Sequence, residues 1–237
     1  MKRFYKKVSV QSMADGQQIA LDEKPVRTPA GDFLRVRNGG VAAAIAHEWE
    51  AQAERVNPMA MPLTRIANAS IDGARQNRPA VIDGVVAYIG SDLICYRAEG
   101  PDDLQARQAA AWDPLLDWLN DAIGVRLNVT QGIVHVSQDP VAVETVTDRI
   151  ADYDEFVLAC LHIATTLTGS LVIGLALVEG WLSADQAWGA ANVDETWQAE
   201  KWGADEEAEA RAVSQLAEIR SARRYLDLHL VTKEMQE

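Results

Sequence analysis

Hydrophobic and polar positions follow two different rules along the chain. Over roughly the first third, short alternating runs at Phe4 to Val10, Ile19 to Leu21 and Phe33 to Arg37 are separated by turn-forming residues, Asp22-Glu23-Lys24-Pro25 and Pro29-Ala30-Gly31-Asp32. Alternation bounded by Gly, Pro and Asp predicts a meander of short strands. Asn38-Gly39-Gly40 breaks the pattern, and the Ala-rich stretch from Val41 to Arg55 places Ile45, Trp49 and Ala53 at helical spacing. Pro58 and Pro62 bracket a link, after which Leu63, Ile66, Ala67 and Ser70 mark a helix ending near Ile71.

Gly73 to Pro79 is polar and ends in proline, so it reads as a hinge. Beyond it the apolar spacing predicts helices over 80–89, 102–123, 140–151, 154–179, 183–191, 193–201 and 205–228. Ser183 and Gln186 have the spacing of a capping box. Arg126 to Val129 and Ile133 to Val136 flank Thr130-Gln131-Gly132 and predict a hairpin. The resulting fold class is α+β: a small mixed α/β N-terminal domain, residues 1–75, followed by a larger, mainly helical domain, residues 76–237.

Phe156 to Val178 contains no Asp, Glu, Lys or Arg and is long enough to cross a bilayer. We expect a buried helix instead. His162, Thr165, Thr166, Thr168 and Ser170 interrupt its apolar character, and acidic rather than basic residues flank it. Gly169 and Gly174 within it are expected to permit close helix packing.

Net charge is −13, unevenly distributed. Residues 1–75 carry 11 bases and 8 acids, and residues 76–237 carry 11 bases and 27 acids, which gives +3 against −16. A surface this acidic repels phosphate backbones, which argues against a nucleic-acid partner. The basic start, Lys2, Arg3, Lys6 and Lys7, lacks the apolar stretch of a secretion signal behind it. Cys95 and Cys160 lie in apolar surroundings, as reduced buried thiols do.

Candidate chemistry is sparse. His47-Glu48 opens like a zinc-protease helix, but Ala51 stands where the second histidine would be. Asp113, Asp117 and Asp121 recur every four residues and, with Asp92, could form an acid/base or cation site. The structural alternative makes Asp113, which precedes Pro114, a helix-start cap and leaves Asp117 and Asp121 on the surface. No motif demands a cofactor or metal, and an enzyme built on these carboxylates is kept only as the alternative function.

The most distinctive segment runs from Asp194 to Ala208, DETWQAEKWGADEEA, with two tryptophans among acids and a single base, Lys201. On a helix, Asp194, Glu195, Gln198 and Trp202 would share one side, combining charge with aromatic area. Aromatics anchor protein interfaces while acids form a steering rim. The competing reading is a core helix with inward tryptophans and a wet acidic side.

Seven segments in order resemble one family. They are KRFYKKVSV from Lys2, LDEKPVRTPAG from Leu21, AAAIAHEWEAQ from Ala42, MPLTRIANASID from Met61, SDLICYRAEGP from Ser91, WDPLLDW from Trp112 and the acidic segment from Asp194. The sequence is similar to the assembly chaperones that hold the alpha subunit of the catalytic head of F-type ATP synthase. The resemblance implies a mixed N-terminal domain, a C-terminal orthogonal helical bundle and no ATP hydrolysis. It also implies that the chain shields the alpha subunit's beta-facing surface until assembly. Among partner-binding residues it points first to Glu195, with Asp194 and Glu200 behind it, and it also matches Gln198, Trp197 and Trp202, of which at least one is expected to be structural. Trp49 matches as well and is expected to pack in the core. The chain begins directly at the first shared motif, which favours a bacterial cytoplasmic protein, or a mitochondrial matrix protein for a processed form; neither stable membrane insertion nor a cofactor is expected.

Overall fold

The computed structural model describes residues 2–230 and is an α+β fold of two compact units. One unit takes the chain through Arg78, then Glu155–Cys160 and the described residues from Ser221 on; the other takes Pro79–Asp154 and Leu161–Arg220.

In the first unit, β1 (Val8–Met13) and β2 (Gly16–Leu21) form an antiparallel hairpin from Val8↔Leu21 to Met13↔Gly16. Gly16 is required at its turn: φ is +141°, and a Cβ there would stand 2.5 Å from the Val36 carbonyl oxygen. The free edge of β2 accepts β3 (Lys24–Pro25) and β4 (Arg35–Val36). Asp22 and Glu23, both at positive φ, make the turn into β3, and Asp22 accepts the backbone N–H groups of Lys6 and Lys7.

Ile19, Ala20 and Leu21 bury the end of β2, and α1 (Gly39–Glu50) packs on this sheet through Val41, Ala42 and Ile45. Asn38 caps α1, its side-chain oxygen accepting from Val41 N–H at 3.0 Å. Trp49 is half-buried and meets Tyr5 edge-on at 5.8 Å. The Glu48 carboxylate accepts the Leu63 and Thr64 N–H groups, each at 2.8 Å, at the start of α2 (Pro62–Ala69). The helix thus receives its cap from a residue outside it. Arg37 and Arg75 both pair with Glu155 at 2.8 Å.

The second unit opens with α3 (Arg78–Val86), of which only Arg78 belongs to the first. It contains β5 (Tyr96–Arg97), α4 (Asp102–Ile123), β6 (Thr130–Gln131), α5 (Pro140–Ala151), α6 (Glu155–Thr168), α7 (Leu171–Val178), α8 (Ala184–Ala191), α9 (Val193–Trp202) and α10 (Glu206–Leu230). The opening residues of α6 and the closing residues of α10 belong to the first unit.

Two expectations are corrected here. The predicted hairpin around Thr130 is absent: β6 pairs in parallel with β5, Tyr96 opposite Thr130, so the strand's partner lies more than thirty residues upstream. The uncharged run after Phe156 is two helices. Gly169, at φ +67°, turns the chain out of α6, and the Ser170 side chain caps α7. Gly174 has the role expected of it. Its Cβ would lie 2.5 Å from Thr165 Oγ1, so only glycine lets α7 approach α6 this closely. Every residue of α7 is buried, and α4 and α8 pack against it. Among the described residues no helix is long and apolar enough to cross a membrane.

Candidate functional site

The acidic aromatic segment forms α9, the turn at Gly203 and the start of α10. One side of α9 is fastened to α4. Gln108, 1% exposed, donates from Nε2 to Asp194 at 2.8 Å and accepts the Ala98 N–H at Oε1. One α4 turn earlier, Asp103 accepts the Trp197 indole N–H at 2.9 Å and pairs with Lys201 at 3.0 Å. Both donors hold the Asp103 carboxyl below its usual range. Arg107 pairs with Glu200 at 2.7 Å, which lowers the Glu200 carboxyl likewise. Deeper in α4, Trp112 is fully buried and donates to the Ala190 carbonyl at 2.7 Å, tying in the end of α8.

The predicted common side of Asp194, Glu195, Gln198 and Trp202 therefore divides. Asp194 faces α4 with Trp197, which is 7% exposed, and Glu200 is engaged at the edge of that contact. Glu195, Gln198 and Trp202 face away, and Trp202 is 74% exposed. The tryptophans split accordingly: Trp197 is structural, and Trp202 meets its ring edge-on at 5.3 Å while leaving most of its own surface free.

Glu195, Gln198 and Trp202 line a groove of about 680 Å³, shared with Trp188 of α8 and with Ala208 and Ala212 of α10. Both Asp194 and Glu195 stand in the first turn of α9, where helix-end N–H groups favour negative charge. Sequence reasoning missed Gln108, Asp103, Arg107 and Trp188. The first three fall at i, i+4 and i+5 on α4, a spacing that marks one helix side but does not name the partner helix about ninety residues away.

The carboxylates of the alternative reading serve separate structural tasks. Asp92 is fully buried; it accepts the Ile94 N–H at 3.3 Å and the Val172 N–H at 3.2 Å, and so joins the segment before β5 to the start of α7. Burial pushes its carboxyl up to about 6, against hydrogen bonds that favour the ion. Asp113 is not a helix-start cap, because Pro114 lies inside α4; its carboxylate pairs with Arg97 at 2.8 Å. Asp117 and Asp121 are exposed on the same helix. Among the described residues, no three His, Cys, Asp or Glu side chains are grouped to hold a metal ion.

The family model for the ATP12 chaperone protein matches residues 2–120. The chain belongs to the ATP12 chaperone family. These are the ATP synthase assembly chaperones that the seven segments resemble. The fold is that of the crystal structure of Atp12 from Paracoccus denitrificans, with a TM-score of 0.92 and 42% identity over 96% of this chain and 98% of that one. The Agrobacterium tumefaciens protein Atu1473 is similar, with a TM-score of 0.90 and 42% identity over 95% of this chain and 85% of that one. A more distant relative is the mitochondrial protein atp12 of Schizosaccharomyces pombe. It is 21% identical over 219 residues, covering 87% of this chain and 75% of the relative. Asp103, Arg107 and Gln108 lie within the stretch matched by the ATP12 family model, whereas the α9 residues they hold lie beyond it.

Proposed function

We propose that this ATP12-family chaperone holds the unassembled alpha subunit of the F-type ATP synthase catalytic head, shields its beta-facing surface, and yields it to the beta subunit. An obligate interface resembles a core cut open and aggregates when left bare, so a subunit made ahead of its partner needs a cover. The observation that carries the reading is the division of α9. A helix bolted to α4 on one side presents Glu195, Gln198 and Trp202 on the other, which combines an aromatic anchor with polar and charged groups. In this reading those three residues touch the alpha subunit, and Asp194 and Glu200 contribute by holding α9 in place. Binding alone does the work, without turnover, and takes place in a bacterial cytoplasm or, for a processed eukaryotic form, the mitochondrial matrix.

The test is co-purification of the chain with the alpha subunit of its own organism, with and without the beta subunit. A soluble complex that forms without beta and is depleted when beta is added supports the proposal. Absence of a complex in both cases overturns it.

A further inference from the structure

Charge is sorted across α9. On the α4 side each carboxylate has a partner: Asp194 has the Gln108 amide, Asp103 has Trp197 and Lys201, and Glu200 has Arg107. The groove side is different. Glu195, Asp205 and Glu209 line it, and none of them is in an ion pair among the described residues. Glu206 and Glu207 follow in the first turn of α10, and Arg211 is the one cation among the described lining residues. Ala199, Ala208 and Ala212 line the groove together with Trp188 and Trp202.

We infer that this groove takes a basic amphipathic segment of the client, a stretch with one or two large apolar side chains flanked by Lys or Arg. The inference rests on the chaperone reading above and names the chemistry of what the site accepts. Its volume of about 680 Å³ suits a few side chains and not a packed domain face. Trp202, left 74% exposed, gains most from an apolar side chain laid against it. The unpaired carboxylates then meet the flanking cations in a setting where opposite charge speeds encounter. The same carboxylates reject an acidic segment of equal hydrophobicity, because the like charges have nowhere to go.

The probes are three short fluorescein-labelled peptides tested by anisotropy against the full chain: an amphipathic Leu/Lys peptide, its Lys-to-Glu counterpart and its Leu-to-Ser counterpart. The Leu/Lys peptide is expected to bind and to weaken as salt rises, with both counterparts at least about tenfold weaker. Glu209→Lys is expected to weaken the Leu/Lys peptide about tenfold, and Trp202→Ser by a similar factor, with thermal unfolding of both variants unchanged. Equal binding of the acidic peptide overturns the inference, as does Leu/Lys binding that ignores both substitutions. Co-purification separates the two levels. If Glu209→Lys,Trp202→Ser retains the alpha subunit as well as the unaltered chain does, the groove inference fails together with the contact assigned to Trp202, while capture of the alpha subunit itself stands. If the unaltered chain captures no alpha subunit, the chaperone reading itself fails.

Discussion

The Trp197 indole N–H donates to the Asp103 carboxylate at 2.9 Å, joining residues that lie about ninety positions apart in the chain. Five residues further along the same helix, Trp202 makes no such bond and stands in solvent. Two tryptophans of one acidic segment therefore do different work, and substitutions separate them.

Trp197→Ala is expected to lower stability by about 3–5 kcal/mol, since it removes a buried ring and leaves an indole-sized void between α4 and α9. Trp202→Ala is expected to stay within about 0.5 kcal/mol of the unaltered chain while weakening capture of the alpha subunit. Chemical denaturation and co-purification, run on both variants, check the pair. A stability loss at Trp202 equal to that at Trp197 would contradict the division.

Glu195→Lys reverses a charge that no ion pair among the described residues uses. Thermal unfolding is expected to shift little, within about 0.5 kcal/mol, and the alpha-subunit complex to be lost. A parallel fall in stability would return Glu195 to a role at the start of α9 only.

Gln108→Ala leaves the Ala98 N–H and the Asp194 carboxylate without the partner that served both. The expected cost is about 1–3 kcal/mol, with faster amide hydrogen exchange in α9 than in α7. Uniform exchange changes across both helices would show that Gln108 does not specifically secure α9.

Asp92 predicts a pH dependence of definite sign. Its folded carboxyl is raised to about 6 from 3.8, so the proton binds the folded state more tightly than the unfolded one. That contribution to stability is complete below about 3.8 and is lost as pH rises through about 6, a change of about 3 kcal/mol over the window. Asp92→Asn cannot titrate. Its melting temperature is expected to lack this downward component between pH 4 and about 7, as measured by calorimetry in parallel with the unaltered chain.

Gly174→Ala is expected to destabilise by about 1–3 kcal/mol, because its Cβ would meet Thr165 Oγ1 at 2.5 Å inside a fully buried helix. The double variant Gly174→Ala,Thr165→Ala should recover part of that loss in denaturant titrations.

Much of the fold was legible in the chain because its signals are local. The limits of α4 and α5 follow from apolar spacing, and Ser183 and Gln186 form the capping box their spacing implies. Within the acidic segment, the helix and its candidate residues were also visible as composition and period. The turn at Gly169 was less visible, since a run of apolar residues carries no periodic marker for where one buried helix ends and the next begins. The parallel pairing of Thr130 with Tyr96 was invisible for another reason. A flanked glycine suggests a hairpin locally, and only distant backbone hydrogen bonds decide otherwise.

The sequence by itself determined where most of the helices lie, the acidic bias of the later chain and the family resemblance, because propensity, charge and motif order are properties of the string. Tertiary structure decided which side of α9 is free. A 3.6-residue period places Asp194 and Glu195 side by side, and only the bonds from Gln108 and Asp103 of α4 turn Asp194 and Trp197 inward and leave Glu195, Gln198 and Trp202 outward.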